Sequence, residues 1–224
     1  MNNLTPKQKL QTYGEFLKEF KNPTIQLILK EIIINTPTIY FGASTSSTGK
    51  YHPLATNGLS GLVKHSVAVM LTAKDLLENE TVSAVFRLNK LSPVDKEIFL
   101  AAALIHDNAK YGADDLEDLN VKYYTQGNHP RMVKDIAEKA GLYTKLTEEQ
   151  LPVLNKMLHL IETHMGQWTF VKNGAPLEKP QNYSQSFIHM CDYIVSRKTF
   201  DNVANISLPN DVDPELIAWF QTQN

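Results

Sequence analysis

Cysteine is nearly absent. Cys191 is the only one in 224 residues, which excludes an intrachain disulfide and any thiolate-based zinc site, and fits a reducing cytoplasm. Long apolar stretches are missing as well: the run Phe99 to Ile105 falls far short of the ~20 residues that cross a bilayer. The opening Met-Asn-Asn-Leu-Thr-Pro-Lys carries no charged-then-apolar leader pattern. A soluble, cytoplasmic protein with no membrane partner is therefore expected. Positive charge is not in excess either, with Lys plus Arg at 22 against 24 Asp plus Glu. That balance excludes a broad basic surface for gripping long nucleic acid, while a short nucleotide anion stays compatible. There are no repeats, low-complexity tails or heptads.

What is present reads as helix. A hydrophobic share of 42% over 224 residues suits one ordinary domain, residues 1–224, expected to be an all-α bundle of about eight helices. Thr5-Pro6 couples a capping threonine to a proline at the first helical position, and Leu10, Tyr13, Leu17 and Phe20 follow at helical spacing. Asn22-Pro23 opens a second helix that turns Ile25, Ile28, Leu29, Ile32 and Ile33 inward and ends at Thr36-Pro37. Thr38 to Gly58 shifts to Gly, Ser, Thr and Pro and reads as a long loop. Its stretch Gly42 to Lys50 is not a phosphate-binding loop: six residues separate the glycines where four are needed, and Tyr51 stands in the Ser/Thr place.

Gly61 to Asn79 is a helix with Leu62, Val69, Leu76 and Leu77 inward and His65 on or beside that stripe. Ser92-Pro93 and Asp95 open another, carrying Ile98, Phe99, Ala102, Ile105 and His106, whose alanines let neighbours approach closely. The run Asp114 to Asp118 reads as a solvated acidic face. Gly127 to Pro130 turns into a helix over about 130–140, stopped by Gly141. Thr147 to Gln150 is a capping box for a helix through Leu154, Leu158 and Ile161 to His164. Residues 170–181 form an excursion, and Ser184 or Ser186 opens a helix with Ile188, Cys191, Asp192 and Val195. A last helix is expected over 213–222, where it would either bury Leu216 to Phe220 or serve an interface, so an oligomer is compatible.

The chemistry sits at the end of the alanine-rich helix, where His106 and Asp107 are adjacent. Neighbours on a helix are offset by about 100°, so the pair reaches one cation only in a groove completed by other helices. His65, His129, His164 and Asp192 supply further imidazoles and a carboxylate on separate helices whose apolar faces converge. A carboxylate in apolar surroundings needs a partner. Asp107 and Asp192 are thus candidates for paired or metal-bound groups, the bland alternative being an Asp107 satisfied by backbone or by Lys110.

These residues, in this order, resemble the HD superfamily of metal-dependent phosphohydrolases, an all-α fold. The likeness is closest to the HD domain of bacterial 3′→5′ exoribonucleases and related proteins. It is carried by Gly61-Leu-Val-Lys-His65, Leu104-Ile-His-Asp-Asn-Ala-Lys110, Gly127-Asn-His129, His159 to Gly166 and Ile188-His-Met-Cys-Asp192, across roughly residues 52–198. Ala55 and Thr56 stand where that branch has paired histidines, and Met165 where it has a second histidine. The nucleic-acid-binding module that precedes the HD domain in those exoribonucleases has no counterpart here. The resemblance implies a first cation held by His65, His106, Asp107 and Asp192, and a second held by His129 and His164, with Asp107 bridging.

On the same basis Asp107 and Lys110 would be catalytic, and the cofactors would be two divalent ions drawn from Mn²⁺, Fe²⁺, Mg²⁺, Co²⁺ and Zn²⁺. Arg131 and Lys134 are weaker phosphate contacts. His159 lies off the His164 face and reads as a satisfied core histidine, His189 as a group that could orient Asp192, and His52 as a rim residue. The implied activity is hydrolysis of a phosphate ester in a nucleotide or short oligonucleotide, of phosphodiesterase type. A deoxynucleoside tri- or monophosphate phosphohydrolase is the alternative within the class. A non-catalytic nucleotide-sensing or scaffolding module, and a helical interaction protein with scattered core histidines, are the alternatives outside it.

Overall fold

A computed structural model describes residues 4–46, 52–115, 124–172, 174–198, 206 and 208. Among them are ten α-helices, two short 3₁₀ segments and no strand. The all-α expectation is met, with two more α-helices than the pattern suggests.

Helix α1 (Pro6–Tyr13) begins at the expected cap: the Thr5 hydroxyl accepts the Gln8 N–H, and the Gln8 side chain accepts the Thr5 N–H. It is shorter than the apolar spacing indicates. Gly14 sits at φ +49° and the chain continues as a 3₁₀ segment over Gly14–Glu19, which still delivers Phe20 to the core. Helix α2 (Pro23–Asn35) is capped by Asn22, and Ile25, Ile28, Leu29, Ile32 and Ile33 are all buried. Tertiary burial outweighs the modest helix propensity of its isoleucines.

The loop expected from Thr38 is corrected at its start. Helix α3 (Thr38–Gly42) is buried at every residue, and Tyr40 and Phe41 pack edge to face at 5.3 Å. A second short 3₁₀ turn, Leu54–Thr56, lies against the start of α4 (Gly61–Glu78). That contact demands glycine at 61, because a Cβ there would come 1.9 Å from the Thr56 carbonyl oxygen. Helix α5 (Glu80–Val85), capped by Asn79, has no counterpart in the sequence reading.

Helix α6 (Pro93–Ile105) starts at Ser92, whose hydroxyl accepts the Asp95 N–H. Every residue from Ile98 to Ile105 is buried, as expected of a helix apolar on all sides. It packs against α2 and α4 and against two later helices, α9 (Leu151–Glu162) and α10 (Tyr183–Val195). Ala101, Ala102 and Ala103 permit these approaches. Helix α7 (His129–Lys139) packs on α9, with Gly141 at φ +69° leading into α8 (Leu142–Lys145).

Two boundaries differ in ways that matter below. Gln150 makes half of the expected capping box by accepting the Thr147 N–H at 3.1 Å, but α9 ends at Glu162 and leaves His164 in the following turn. Helix α10 is capped by Asn182 rather than by Ser184 or Ser186, its side chain accepting the Gln185 N–H. The helix expected over 213–222 and much of the acidic run lie outside the described residues. No described helix is long and apolar enough to cross a membrane.

Candidate metal centre

All six proposed ligands meet beyond the C-terminal end of α6. The α-helix stops at Ile105, and the next residues turn through i→i−3 bonds: Asn108 N–H to Ile105 O, Lys110 N–H to Asp107 O and Gly112 N–H to Ala109 O. This tighter turn lets adjacent His106 and Asp107 serve one cluster. Helix α4 brings His65, the start of α7 brings His129, the turn after α9 brings His164, and α10 brings Asp192. His65, His106, Asp107, His129 and His164 are buried, and the Asp192 side chain keeps 17% of its surface exposed.

The two oxygens of Asp107 face different partners. Oδ1 lies 2.9 Å from His129 Nε2 and 3.6 Å from His164 Nε2. Oδ2 lies 2.8 Å from Lys110 Nζ, 3.5 Å from His106 Nε2 and 3.8 Å from His65 Nε2. Asp192 Oδ1 completes that second side, 3.0 Å from His65 Nε2 and 3.8 Å from His106 Nε2. The groups His65–His106–Asp107 and Asp107–His129–His164 each bring their donor atoms within 4.8 Å of one another, as does His106–His164–Asp192.

Three of the histidines are held by one device. His106 donates its Nδ1–H to Ala103 O at 2.7 Å, His129 to Gln126 O at 2.7 Å, and His164 to Ile161 O at 2.8 Å. Each ring is tied to the carbonyl three residues before it, so in the neutral ring each Nε2 carries the lone pair. Gln126 is in turn anchored by donating its N–H to the Lys110 carbonyl at 2.8 Å, which links the His129 turn to the His106-Asp107 turn.

The result is lone pair against lone pair. His129 Nε2 and His164 Nε2 stand 3.2 Å apart with Asp107 Oδ1 beside both, and no hydrogen is left to lie between them. Asp107 Oδ1, His106 Nε2 and both ring nitrogens of His65 are buried without a hydrogen bond. Buried polar atoms that converge without partners, the acceptors Asp107 Oδ1 and His106 Nε2 among them, are costly unless a cation satisfies the lone pairs. Imidazole nitrogen and carboxylate oxygen suit Mn²⁺, Fe²⁺, Co²⁺ or Zn²⁺, so the residues fit a divalent ion.

The electrostatics favour the ligating forms of His106, His164, Asp107 and Asp192. Burial pushes His106 below the usual imidazole range, and burial with neighbouring His106 and His129 takes His164 down to about 3. Burial would raise Asp107, yet the Lys110 ammonium, 2.8 Å from Oδ2, holds it well below the carboxylate range. Asp192 is likewise held low against burial, by His65 and His106. The Lys110 ammonium is stabilised against its burial by Asp107 and Asp192.

Other expectations are corrected. Arg131 is not a free phosphate contact: its guanidinium donates to Ala175 O at 2.9 Å and Pro176 O at 2.5 Å, and its Nε lies 3.4 Å from Glu162. Lys134 sits on the exposed side of α7 beside Glu138. His189 does not reach Asp192 but donates Nδ1–H to the His164 carbonyl at 2.8 Å. His159 is not the core histidine expected: it is exposed, with Gln185 Nε2 lying 2.9 Å from its Nε2. His52 packs edge to face on His65 at 5.5 Å, and burial lowers its conjugate acid to about 4.

Spacing gives no hint of a further network behind the ligands. Tyr13 and Tyr40 hydroxyls meet at 3.0 Å, Tyr40 donates to Ser66 Oγ at 2.9 Å, and Asn108 Nδ2 donates to Thr36 Oγ1 at 2.9 Å. Helices α1 and α3 thereby touch the residues that follow His65 and Asp107.

Among the described residues the fold is all-helical and closes a buried His/Asp cluster, able to hold a metal ion, at the end of its central helix. The HD domain family profile matches residues 62–194, and the chain belongs to that family. HD domains are generally metal-dependent hydrolases that bind divalent ions. Comparison with curated proteins and with solved structures finds no match.

Proposed function

We propose that this protein hydrolyses a phosphate ester of a nucleotide or short oligonucleotide, in the manner of a phosphodiesterase. The observation that carries the reading is the convergence of Asp107 Oδ1, His129 Nε2 and His164 Nε2, three buried acceptors with no donor between them. His65, His106, Asp107 and Asp192 would hold one cation, and Asp107, His129 and His164 a second. Held there, divalent ions would supply Lewis acidity toward phosphate and make bound water more acidic.

The chain's own groups do the rest. Asp107 divides its two oxygens between the ligand sets and so fixes their separation. The Ala103, Gln126 and Ile161 carbonyls hold three rings in the ligating tautomer before any ligand arrives. Lys110, 12% exposed at its side chain, places an ammonium at the edge of the cluster, where it would meet phosphate charge.

The nearly balanced surface charge, net −2, supports a small substrate over a long nucleic acid. The motif likeness to the HD domains of bacterial 3′→5′ exoribonucleases supports a nucleotide diester, with deoxynucleotide phosphohydrolysis as the nearest alternative. The single cysteine, buried and unpaired, supports a reducing, cytoplasmic setting. The test is incubation with Mn²⁺ and a panel of dNTPs, nucleoside monophosphates, cyclic nucleotides and short RNA, beside Asp107→Ala. Product from one class that disappears in the variant is expected. Silence across the panel in a metal-loaded protein would move the assignment to a sensor module.

A further inference from the structure

His164 is the ligand candidate with the least scaffold of its own. It lies beyond the end of α9, in a run of tight turns in which His164 N–H bonds to Ile161 O, Gly166 N–H to Thr163 O and Trp168 N–H to Met165 O. A neighbouring helix holds that turn in place. From α10, His189 donates Nδ1–H to the His164 carbonyl oxygen at 2.8 Å. Its ring lies over Gly166, where a Cβ would come 2.2 Å from His189 Cε1 and 2.4 Å from both ring nitrogens. Gly166 is also at φ +61°, a conformation that suits glycine. Trp168 meets the His189 ring edge to face at 5.9 Å and stacks on Tyr193 at 5.8 Å with 13° between planes, while the Arg197 guanidinium covers Tyr193 at 4.2 Å.

We propose that His189 is a positioning residue of the metal centre: seated on Gly166 and bonded to the His164 carbonyl, it fixes the turn that aims His164 Nε2 at Asp107 Oδ1. The inference rests on the two-cation reading above. It assigns His189 to the His129–His164 side alone. His65 lies on α4 and His106 in the turn after α6, while Asp192, although also on α10, has its carboxylate set by His65 Nε2 at 3.0 Å and by the Ser196 hydroxyl at 3.1 Å rather than by His189, so loss of the His189 lock should weaken one cation and spare the other.

The experiment is Mn²⁺ titration of the full-length protein followed by electron paramagnetic resonance, with helical content checked by circular dichroism. The unmutated protein is expected to bind two ions. His189→Ala should weaken one of them by about 10–100-fold, the usual effect of removing a group that orients a ligand, and leave the other unchanged. Gly166→Ala should give the same selective loss with His189 still present. His189→Asn, whose carboxamide N–H can occupy the place of Nδ1–H, should restore much of the second site.

Equal binding of both ions by His189→Ala and Gly166→Ala would overturn the proposal, as would equal weakening of both sites. If His189→Ala does not fold, Gly166→Ala and His189→Asn decide on the same criteria. Failure of the unmutated protein to bind Mn²⁺ at all would overturn the underlying metal reading, and it is distinguishable because it needs no variant.

Discussion

Replacing Asp107 by asparagine separates the needs of folding from those of metal binding. Without a cation, Asp107 Oδ1 faces two imidazole lone pairs at 2.9 and 3.6 Å, a repulsive arrangement inside a buried site. The carboxamide is nearly isosteric. Its oxygen can keep the 2.8 Å contact to Lys110 Nζ, and its NH₂ can donate to His129 Nε2. One new hydrogen bond is worth about 0.5–1.5 kcal/mol, which offsets part of the lost attraction between Asp107 and Lys110. Metal-free Asp107→Asn should therefore fold with a stability within about 1 kcal/mol of the parent, or about 2–4 °C in Tm for a chain of this size.

Metal response should divide the two proteins. An ion present at 100 times its Kd stabilises the parent by about 2.7 kcal/mol, which corresponds to roughly 5–10 °C. Asp107→Asn should lose that shift, together with turnover, because a neutral carboxamide bridges two cations poorly. Differential scanning calorimetry in EDTA and in Mn²⁺ measures both quantities. An equal Mn²⁺-induced shift in parent and variant would falsify the bridging role of Asp107. A metal-free variant that is unfolded would refute the account of the lone-pair conflict.

Three further outcomes follow from the same geometry. His164→Ala should reduce bound metal from two ions to one by inductively coupled plasma analysis, and an unchanged stoichiometry would place His164 outside the ligand set. Acid should unfold the metal-free protein: His106 and His164 are lowered in the folded state, so below about pH 6.5 the unfolded chain binds protons that the folded one excludes, costing up to about 1.4 kcal/mol per pH unit for each histidine. The depressed Asp107 and Asp192 act in the same direction below about pH 4, so urea unfolding in EDTA should show stability falling from pH 7 to pH 4, and a flat profile would contradict the burial of these rings. Ala102→Leu, at a fully buried position of α6, should cost about 1–3 kcal/mol by overpacking, and a neutral result would mean that the helices around α6 can move apart.

The helices that carry strong punctuation are legible in the sequence itself. Thr5-Pro6, Asn22-Pro23 and Ser92-Pro93 each open a helix where the cap and proline say, and Gly141 stops α7. Helix α3 is not legible, because five residues have too few hydrogen bonds to signal themselves and are held by burial of Tyr40 and Phe41. The six ligand candidates share a cluster as their order implies, but the positions of their partners depend on turns. A helix drawn through to His164 hides the turn after Glu162 in which that residue lies. Arg131 is likewise a plausible phosphate contact by charge alone, and only the fold shows the Ala175 and Pro176 carbonyls that occupy it.

One signal in the sequence is readable for a different purpose than the one it serves. His106, His129 and His164 each lie in or beside a tight turn, where the carbonyl three residues back is within reach of Nδ1; the Gln126 and Ile161 carbonyls also accept the backbone N–H of His129 and His164. A histidine placed there can bond that oxygen through Nδ1–H and still present Nε2 outward. Such turns are thus economical sites for imidazole ligands: one bond to a local carbonyl sets the tautomer and aims the lone pair. His65, inside α4, makes no such bond, and both its ring nitrogens remain without a hydrogen bond. Its orientation falls to packing, against His52 on one side and His106 on the other at 5.5 and 5.3 Å. The ligand set therefore combines three imidazoles fixed by hydrogen bonds with one fixed by its neighbours, and the aromatic contact of His52 gains a structural meaning that its place in the sequence does not suggest.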